Sequence, residues 1–363
     1  MGFLCCFITA STNAAPSELS IRHWAYENYT RVVFEVPRDV SPTIRYLPSD
    51  NKKRRPERLY FDLIDVKADN VKIEVGDGVV RQIRSARNRP RRTRVVLELD
   101  RYVRHRSLTL SNPSRVVIDV YGISGETKTE EEAKKIKSVI VVDPGHGGRD
   151  PGALGLSDVK EKHVTLKVSK FLKLELEKRG FEVAMTRTTD RMVSLEERTA
   201  IAQAKGARAF LSIHANAAPS RNVRGIETYY LDRASHKQTL RVAARENGTI
   251  PAKLNALQTT IAGLRISENA RVSLELAGNL HDAMTQGLHL EHGPVADLGV
   301  KKGPFQVLFL TDIPAVLVEI GFLTNPKDAK LLRNSAYLKS LSTHMARGVD
   351  RFLTKHESVR QRQ

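Results

Sequence analysis

Two histidines and two glutamates in the C-terminal two-thirds of the chain are of the types that bind a metal and move protons. His146 lies in the glycine-rich stretch Pro144-Gly145-His146-Gly147-Gly148, directly after the apolar run Ser138–Asp143. His214 closes a second apolar run, Ala209-Phe210-Leu211-Ser212-Ile213-His214. Glu319 ends a third, Pro314-Ala315-Val316-Leu317-Val318-Glu319, and Glu161 opens a helical pattern soon after the first loop. Two imidazoles and one carboxylate suffice for a catalytic zinc ion that keeps one position open. A carboxylate set in Ala-Val-Leu-Val-Glu-Ile is costly to bury unpaired, and desolvation raises its pKa toward the range useful for proton transfer. Each residue also has a structural explanation. Glu161 stands three residues after Asp158, the spacing of a capping box, and a single histidine at a strand end often only packs. The only cysteines are Cys5 and Cys6, so a thiolate zinc site and a disulfide framework are excluded.

The surrounding pattern says which elements must position these side chains. From Ser138 onward, short apolar strands alternate with helical periodicity. Val164, Val168, Phe171, Leu172 and Leu176 recur at helical spacing, and Gly180 stops that helix. Phe181–Thr186 reads as a strand, Ser194 with Glu197 opens a second helix, and Ile226–Leu231 and Ala315–Ile320 are further strands. This alternation predicts an α/β domain, an open sheet covered by helices, spanning 138–354. Ligands of such sheets bind beyond the carboxyl ends of the strands, the edge to which His146, His214 and Glu319 map.

Residues 18–122 read differently. Strand-like runs at Thr30–Val36, Arg58–Leu63, Arg94–Leu99 and Arg115–Val120 are separated by turn residues, which predicts a small all-β sandwich. A polar stretch over 123–137 is the expected linker. Seven arginines and no acid fall between Arg81 and Arg94, in a chain of 363 residues with formal net charge +18. They form either a polyanion-binding surface or a solvated loop between two strands. No helix-turn-helix, zinc-finger or aromatic RNA-binding signature accompanies them, so nucleic acid is not the expected partner. Residues 1–15 have a short apolar core, Phe3–Ala10, and small residues before Pro16, but no basic residue precedes Arg22. They read as a truncated export signal. No apolar run is long enough for a transmembrane anchor.

The strand pattern of 18–122 resembles the AMIN domain, a β-sandwich of envelope proteins, which implies peptidoglycan targeting. Val141–Ala153 with Glu161-Lys162, Ser212–Ala217, Gly225–Tyr230 and Val316–Pro326 together resemble the zinc-dependent N-acetylmuramoyl-L-alanine amidases. By that resemblance the metal ligands are His146, Glu161 and His214 on one Zn2+, and the catalytic residue is Glu319. The implied reaction is hydrolysis of the amide between N-acetylmuramic acid and the L-alanine of the stem peptide, in cell-wall remodelling and daughter-cell separation. The implied location is the periplasm. His163 departs from the family pattern, where a smaller polar residue is expected. Arg187, Asp190 and Arg198 match family positions and are expected to be structural ion-pair partners.

His289 and His292 are expected on a helix end rather than on a second metal. A serine nucleophile is disfavoured because no Gly-x-Ser-x-Gly elbow occurs. A catalytically dead wall-binding relative is disfavoured because all four candidate residues are present. A zinc peptidase cutting within the stem peptide shares the same chemistry. The segment 231–304 is longer than a connection requires. Leu254, Leu257, Ile261 and Leu264 make one helix, and Leu274, Leu276, Leu280 and Met284 a second that covers the sheet. The resemblance implies that the helix Pro251–Leu264 is a lid over the metal, with Asn255 or Gln258 facing the pocket, moved by a division-site activator protein.

Overall fold

The computed structural model describes residues 18–26, 28–111, 113–122, 138–234, 236–263 and 268–360. The chain divides into two compact units, Met1–Gly125 and Glu126–Gln363. The residues read as an export signal and as the linker lie outside those described.

Among the described residues of the first unit, nine strands form two sheets: β1 (Ser20–Tyr26), β2 (Tyr29–Glu35), β3 (Arg45–Leu47), β4 (Glu57–Ile64), β5 (Val71–Glu74), β6 (Val80–Arg89), β7 (Arg92–Leu99), β8 (Arg104–Leu110) and β9 (Arg115–Tyr121). Their orders are β1-β2-β9-β8 and β3-β4-β7-β6-β5. Leu59, Phe61 and Leu63 alternate inward along β4 and meet Val32, Phe34, Ile118 and Val120 in the core. The arginine run is a β-hairpin rather than a loop, and its charge is mostly spent on distant acids. Arg81 pairs with Asp100, Arg84 with Glu98, Arg91 with Asp65, and both Arg92 and Arg94 with Asp62. Arg87 and Arg89 are exposed and meet no carboxylate among the described residues.

The second unit carries a six-stranded sheet of β10 (Val139–Pro144), β11 (Glu182–Met185), β12 (Ala209–Asn216), β13 (Ile226–Leu231), β14 (Asp297–Gly303) and β15 (Ala315–Phe322), ordered β11-β10-β12-β15-β13-β14. All pairs are parallel except β13 against β15. The helices are α1 (Glu161–Lys178), α2 (Leu195–Ala204), α3 (Lys237–Glu246), α4 (Asn255–Gly263, entered through a 3-10 turn Pro251–Leu254), α5 (Glu268–His292), the single turn α6 (Gln306–Phe309), α7 (Pro326–Arg333) and α8 (Ser335–Arg360). None of them is long and apolar enough to cross a membrane.

The central strands are buried on both faces and read as nearly continuous apolar runs. Along β12, Leu211, Ile213 and Ala215 face the layer built from α1, α5 and α8, while Phe210 faces a core shared with Val242, Leu254, Phe305 and Leu308. Strand parity therefore carries Ser212 and His214 to the face covered by α3 and α6. One expected element differs in extent, and one strand was not expected. β15 continues through Phe322, so Glu319 lies within the strand rather than at its end. β14, polar and broken by Gly299, has no apolar alternation and escapes a hydrophobicity reading.

Candidate active site

The site begins at Asp143, the fully buried penultimate residue of β10. Its carboxylate accepts Thr186 Oγ1 (2.5 Å), Arg198 Nη1 (2.6 Å) and Ser212 Oγ (2.8 Å). Burial opposes its charge, but Arg198, Thr186 and Ser212 outweigh it and hold the carboxyl below its usual range. Arg198 also donates to the carbonyls of Pro144 and His146, at 2.7 and 2.8 Å. Arg187 donates to those of Pro144 and Gly145, at 3.0 and 2.8 Å. The loop after β10 is thus clamped by two buried guanidinium groups. Arg198 is an ion-pair partner as expected. Arg187 instead holds carbonyl oxygens, and Asp190 is tied to Lys162 Nζ (2.6 Å) and to the Gly148 N–H (2.7 Å).

The clamp holds His146 at φ 59°, a left-handed backbone that non-glycine residues seldom adopt. His146 Nδ1 donates to Asp150 (2.8 Å), which leaves Nε2 to point inward. At Gly145 the chain must pass close to the second histidine, since a Cβ there would lie 2.5 to 2.8 Å from the His214 ring. Glu161 begins α1, and no capping box forms: the N-cap is Lys160, without a side-chain bond. Both Glu161 oxygens instead accept backbone N–H groups, Ala153 at 2.7 Å and Ala215 at 2.9 Å. His214 Nδ1 lies 3.0 Å from Glu161 Oε1, and His214 on β12 is in register with Glu319 on β15.

A fourth side chain, absent from the sequence reading, completes this group. Glu246, the last residue of α3, places Oε2 2.9 Å from His214 Nδ1 and 3.2 Å from His146 Nε2. Ligand atoms of His146, Glu161, His214 and Glu246 all lie within 4.8 Å of one another. His146 Nε2 and Glu246 Oε2 are buried without a hydrogen-bond partner, although charged groups surround them. Such orphaned atoms on two imidazoles and two carboxylates suit a divalent cation. Burial disfavours charge on the histidines, yet the carboxylates, Glu161 first for His146 and Glu246 first for His214, push them up to about 12 and about 9. The same negative potential attracts a metal ion.

Glu319 is fully buried. Burial holds its carboxyl well above the usual range, with Arg245 opposing and Glu246 and Glu161 adding to the rise. Its Oε1 lies 3.4 Å from Arg245 Nη2, and its Oε2 is buried with no hydrogen-bond partner.

Of the lid expected over Pro251–Leu264, Leu264 lies outside the described residues, and neither side chain expected to face the metal does so. Asn255 is exposed, and the Gln258 side chain accepts the Ala234 N–H at 3.1 Å. The nearer helix is α3, whose only sequence signal was Leu240, Val242, Ala243 and Ala244 ahead of an Asn247-Gly248 stop. His163 is exposed, 3.8 Å from Asp190. His289 and His292 sit in the last turn of α5 and take no part in the cluster.

A mostly parallel sheet with a buried His/Glu cluster at the carboxyl edge of its central strands, able to hold a metal ion, is the arrangement of an α/β hydrolase. Residues 140–351 match the N-acetylmuramoyl-L-alanine amidase family, and residues 82–147 match the AMIN domain. The N-acetylmuramoyl-L-alanine amidase AmiC of Neisseria meningitidis serogroup B is 28% identical, over 95% of this chain and 92% of its own length. AmiA of Escherichia coli K12, of the same activity, is 31% identical over 67% of this chain and 86% of its own. Among solved structures, the amidase AmiC2 of Nostoc punctiforme is 29% identical over 60% of this chain and 97% of its own, with a TM-score of 0.47. The chain belongs to the N-acetylmuramoyl-L-alanine amidase family, and its substrate is peptidoglycan.

Proposed function

We propose that this amidase works with one zinc ion held by His146, Glu161 and His214, that Glu319 is its proton-transfer residue, and that Glu246 closes the site at rest. The observation that carries the reading is the convergence of those ligand atoms within 4.8 Å, with buried imidazole and carboxylate atoms lacking partners. Bound there, zinc would polarise the scissile carbonyl and make water a better nucleophile near neutral pH. Asp150 fixes the His146 ring, and two backbone N–H groups fix Glu161. Glu319 takes a proton from the attacking water and delivers it to the amide nitrogen as the C–N bond breaks. Its raised pKa suits both halves of that transfer.

Glu246 occupies the side of the cluster that substrate must enter. It is held there by Val242, Ala243 and Ala244 of α3, packed in one core with Tyr229, Phe305 and Leu317. An activator protein that draws α3 away would open the site. The segment 18–122 as an AMIN-type module that targets peptidoglycan, 123–137 as linker and 138–354 as catalytic domain complete the reading, with export to the periplasm directed by residues 1–15. The test is incubation of purified protein with sacculi, with and without a chelator, followed by mass analysis. Stem peptides with new N-terminal L-alanine, lost on chelation, support the reading. Products cut within the stem peptide, or unchanged release under chelation, overturn it.

A further inference from the structure

The end of α3 brings two charges into the site, and their arrangement is that of the reaction's products. Hydrolysis adds the water oxygen to the acyl carbon, breaks the C–N bond and leaves the displaced proton on nitrogen. At neutral pH the products are the lactyl carboxylate of the muramic acid and the ammonium group of L-alanine. They separate from a position of contact. The resting site holds a carboxylate and a cation in contact: Arg245 Nε donates to Glu246 Oε1 at 2.7 Å. The Glu246 carboxylate faces His214 and His146. The Arg245 guanidinium turns toward Glu319, with Nη1 donating to the Ala217 carbonyl at 3.2 Å and Nη2 3.4 Å from Glu319 Oε1.

We propose that Arg245 and Glu246 together mimic the product pair, so that Glu319 Oε1 and the Ala217 carbonyl form the subsite that holds the departing L-alanine amine. This rests on Glu319 being the proton-transfer residue. An ammonium has three donors to satisfy. Here it meets a carboxylate, a neutral carbonyl and, beside them, the newly formed carboxylate. The Ala217 carbonyl is well placed to be a fixed acceptor. Ala217 N–H donates to Asn216 Oδ1 (2.8 Å), and Asn216 Nδ2 donates to the buried Glu227 (3.1 Å). Glu227 is held in turn by Tyr229 (2.7 Å) and Lys301. An arginine that merely completed a helix C-terminus would spend its donors on the last carbonyls of α3. Arg245 spends both Nη atoms inside the site. Glu319 Oε2 stays without a partner, so one oxygen serves the amine and the other is left for the water.

The experiment measures binding rather than turnover, on the full-length zinc-loaded chain. The probes are a fluorescent stem peptide with a free N-terminal L-alanine and the same peptide N-acetylated, followed by anisotropy. All binding variants carry Glu246→Ala, which removes the carboxylate that closes the site, and with Arg245 still in place neither peptide is expected to bind, because Arg245 fills the subsite. Arg245→Met is expected to bind the free-amine peptide at least about tenfold more tightly than the acetylated one, the scale of one charge-assisted hydrogen bond. Adding Glu319→Gln to Arg245→Met is expected to abolish the preference. Equal binding of both peptides by Arg245→Met, or binding of neither, with metal content and near-UV circular dichroism unchanged, overturns the proposal. If Arg245→Met misfolds, Arg245→Gln takes its place. The underlying reading fails separately: Glu319→Gln alone that still hydrolysed sacculi at the wild-type rate would remove Glu319 from the chemistry.

Discussion

Replacing Glu246 with alanine is expected to convert a slow enzyme into a fast one without loss of metal. If α3 covers the site at rest, the observed rate is the intrinsic rate multiplied by the fraction of molecules that are open. The Glu246 carboxylate makes charge-assisted contacts with His214 and His146 at 2.9 and 3.2 Å. Neither contact is a formed hydrogen bond, but the attraction of unlike buried charges at these distances is of the same scale, about 1.5–3 kcal/mol net. Removing that stabilisation from the closed form raises the open fraction by roughly 10- to 150-fold, at about 1.4 kcal/mol per tenfold. The increase stops short of full opening, because α3 is also held by apolar packing. Val242 is 6% exposed, and its burial contributes about 1.5–3 kcal/mol. A second substitution, Val242→Asp, is therefore expected to raise activity again. The assay is dye release from labelled sacculi, with zinc content measured on the same samples. Folded, zinc-loaded Glu246→Ala protein as slow as wild type would refute the reasoning, and so would loss of zinc, which would make Glu246 an obligatory ligand.

Metal binding and proton transfer are expected to be separable: Glu319→Gln keeps zinc and loses nearly all hydrolysis, whereas His214→Ala loses the metal, as zinc content and product analysis will show. Asp143→Asn strands the buried Arg198 charge and is expected to cost about 3–5 kcal/mol, a fall in Tm of roughly 6–20 °C by calorimetry. Because the native Asp143 carboxyl is held below its usual range, its contribution is complete above about pH 4 and fades as pH falls further, so the deficit of the variant shrinks in acid. On the first unit, Arg87→Ser with Arg89→Ser is expected to weaken sacculus pull-down of the full chain by a few-fold at low salt. The difference vanishes as the Debye length shortens to ~3 Å at 1 M. Unchanged pull-down at low salt would show those two arginines to be bystanders.

Much of the site's placement was legible in the sequence because it depends on local pattern. Apolar runs bounded by glycine or by a charged residue set β10, β12 and β15. The edge rule for open sheets then places His146, His214 and Glu319 together without any knowledge of the packing. Periodicity in Leu274, Leu276, Leu280 and Met284 likewise anticipated α5 as a sheet-covering helix; Leu276, Leu280 and Met284 are fully buried, whereas Leu274 faces solvent. The arginine run shows where such reading stops. Arg94 meets Asp62 across 32 residues and Arg91 meets Asp65 across 26, through strand register that a charge count cannot see. Glu161 looked equally like a capping residue, and only the N–H groups of Ala153 and Ala215 turn it inward. Glu246 and Arg245 had no signal of their own on a short helix in a long insertion. Whether such a pair faces solvent or the buried His/Glu cluster is decided by which face of α3 finds Phe305 and Leu317 to bury against. That is a matter of packing between segments some 60 to 75 residues apart, which only the tertiary structure settles.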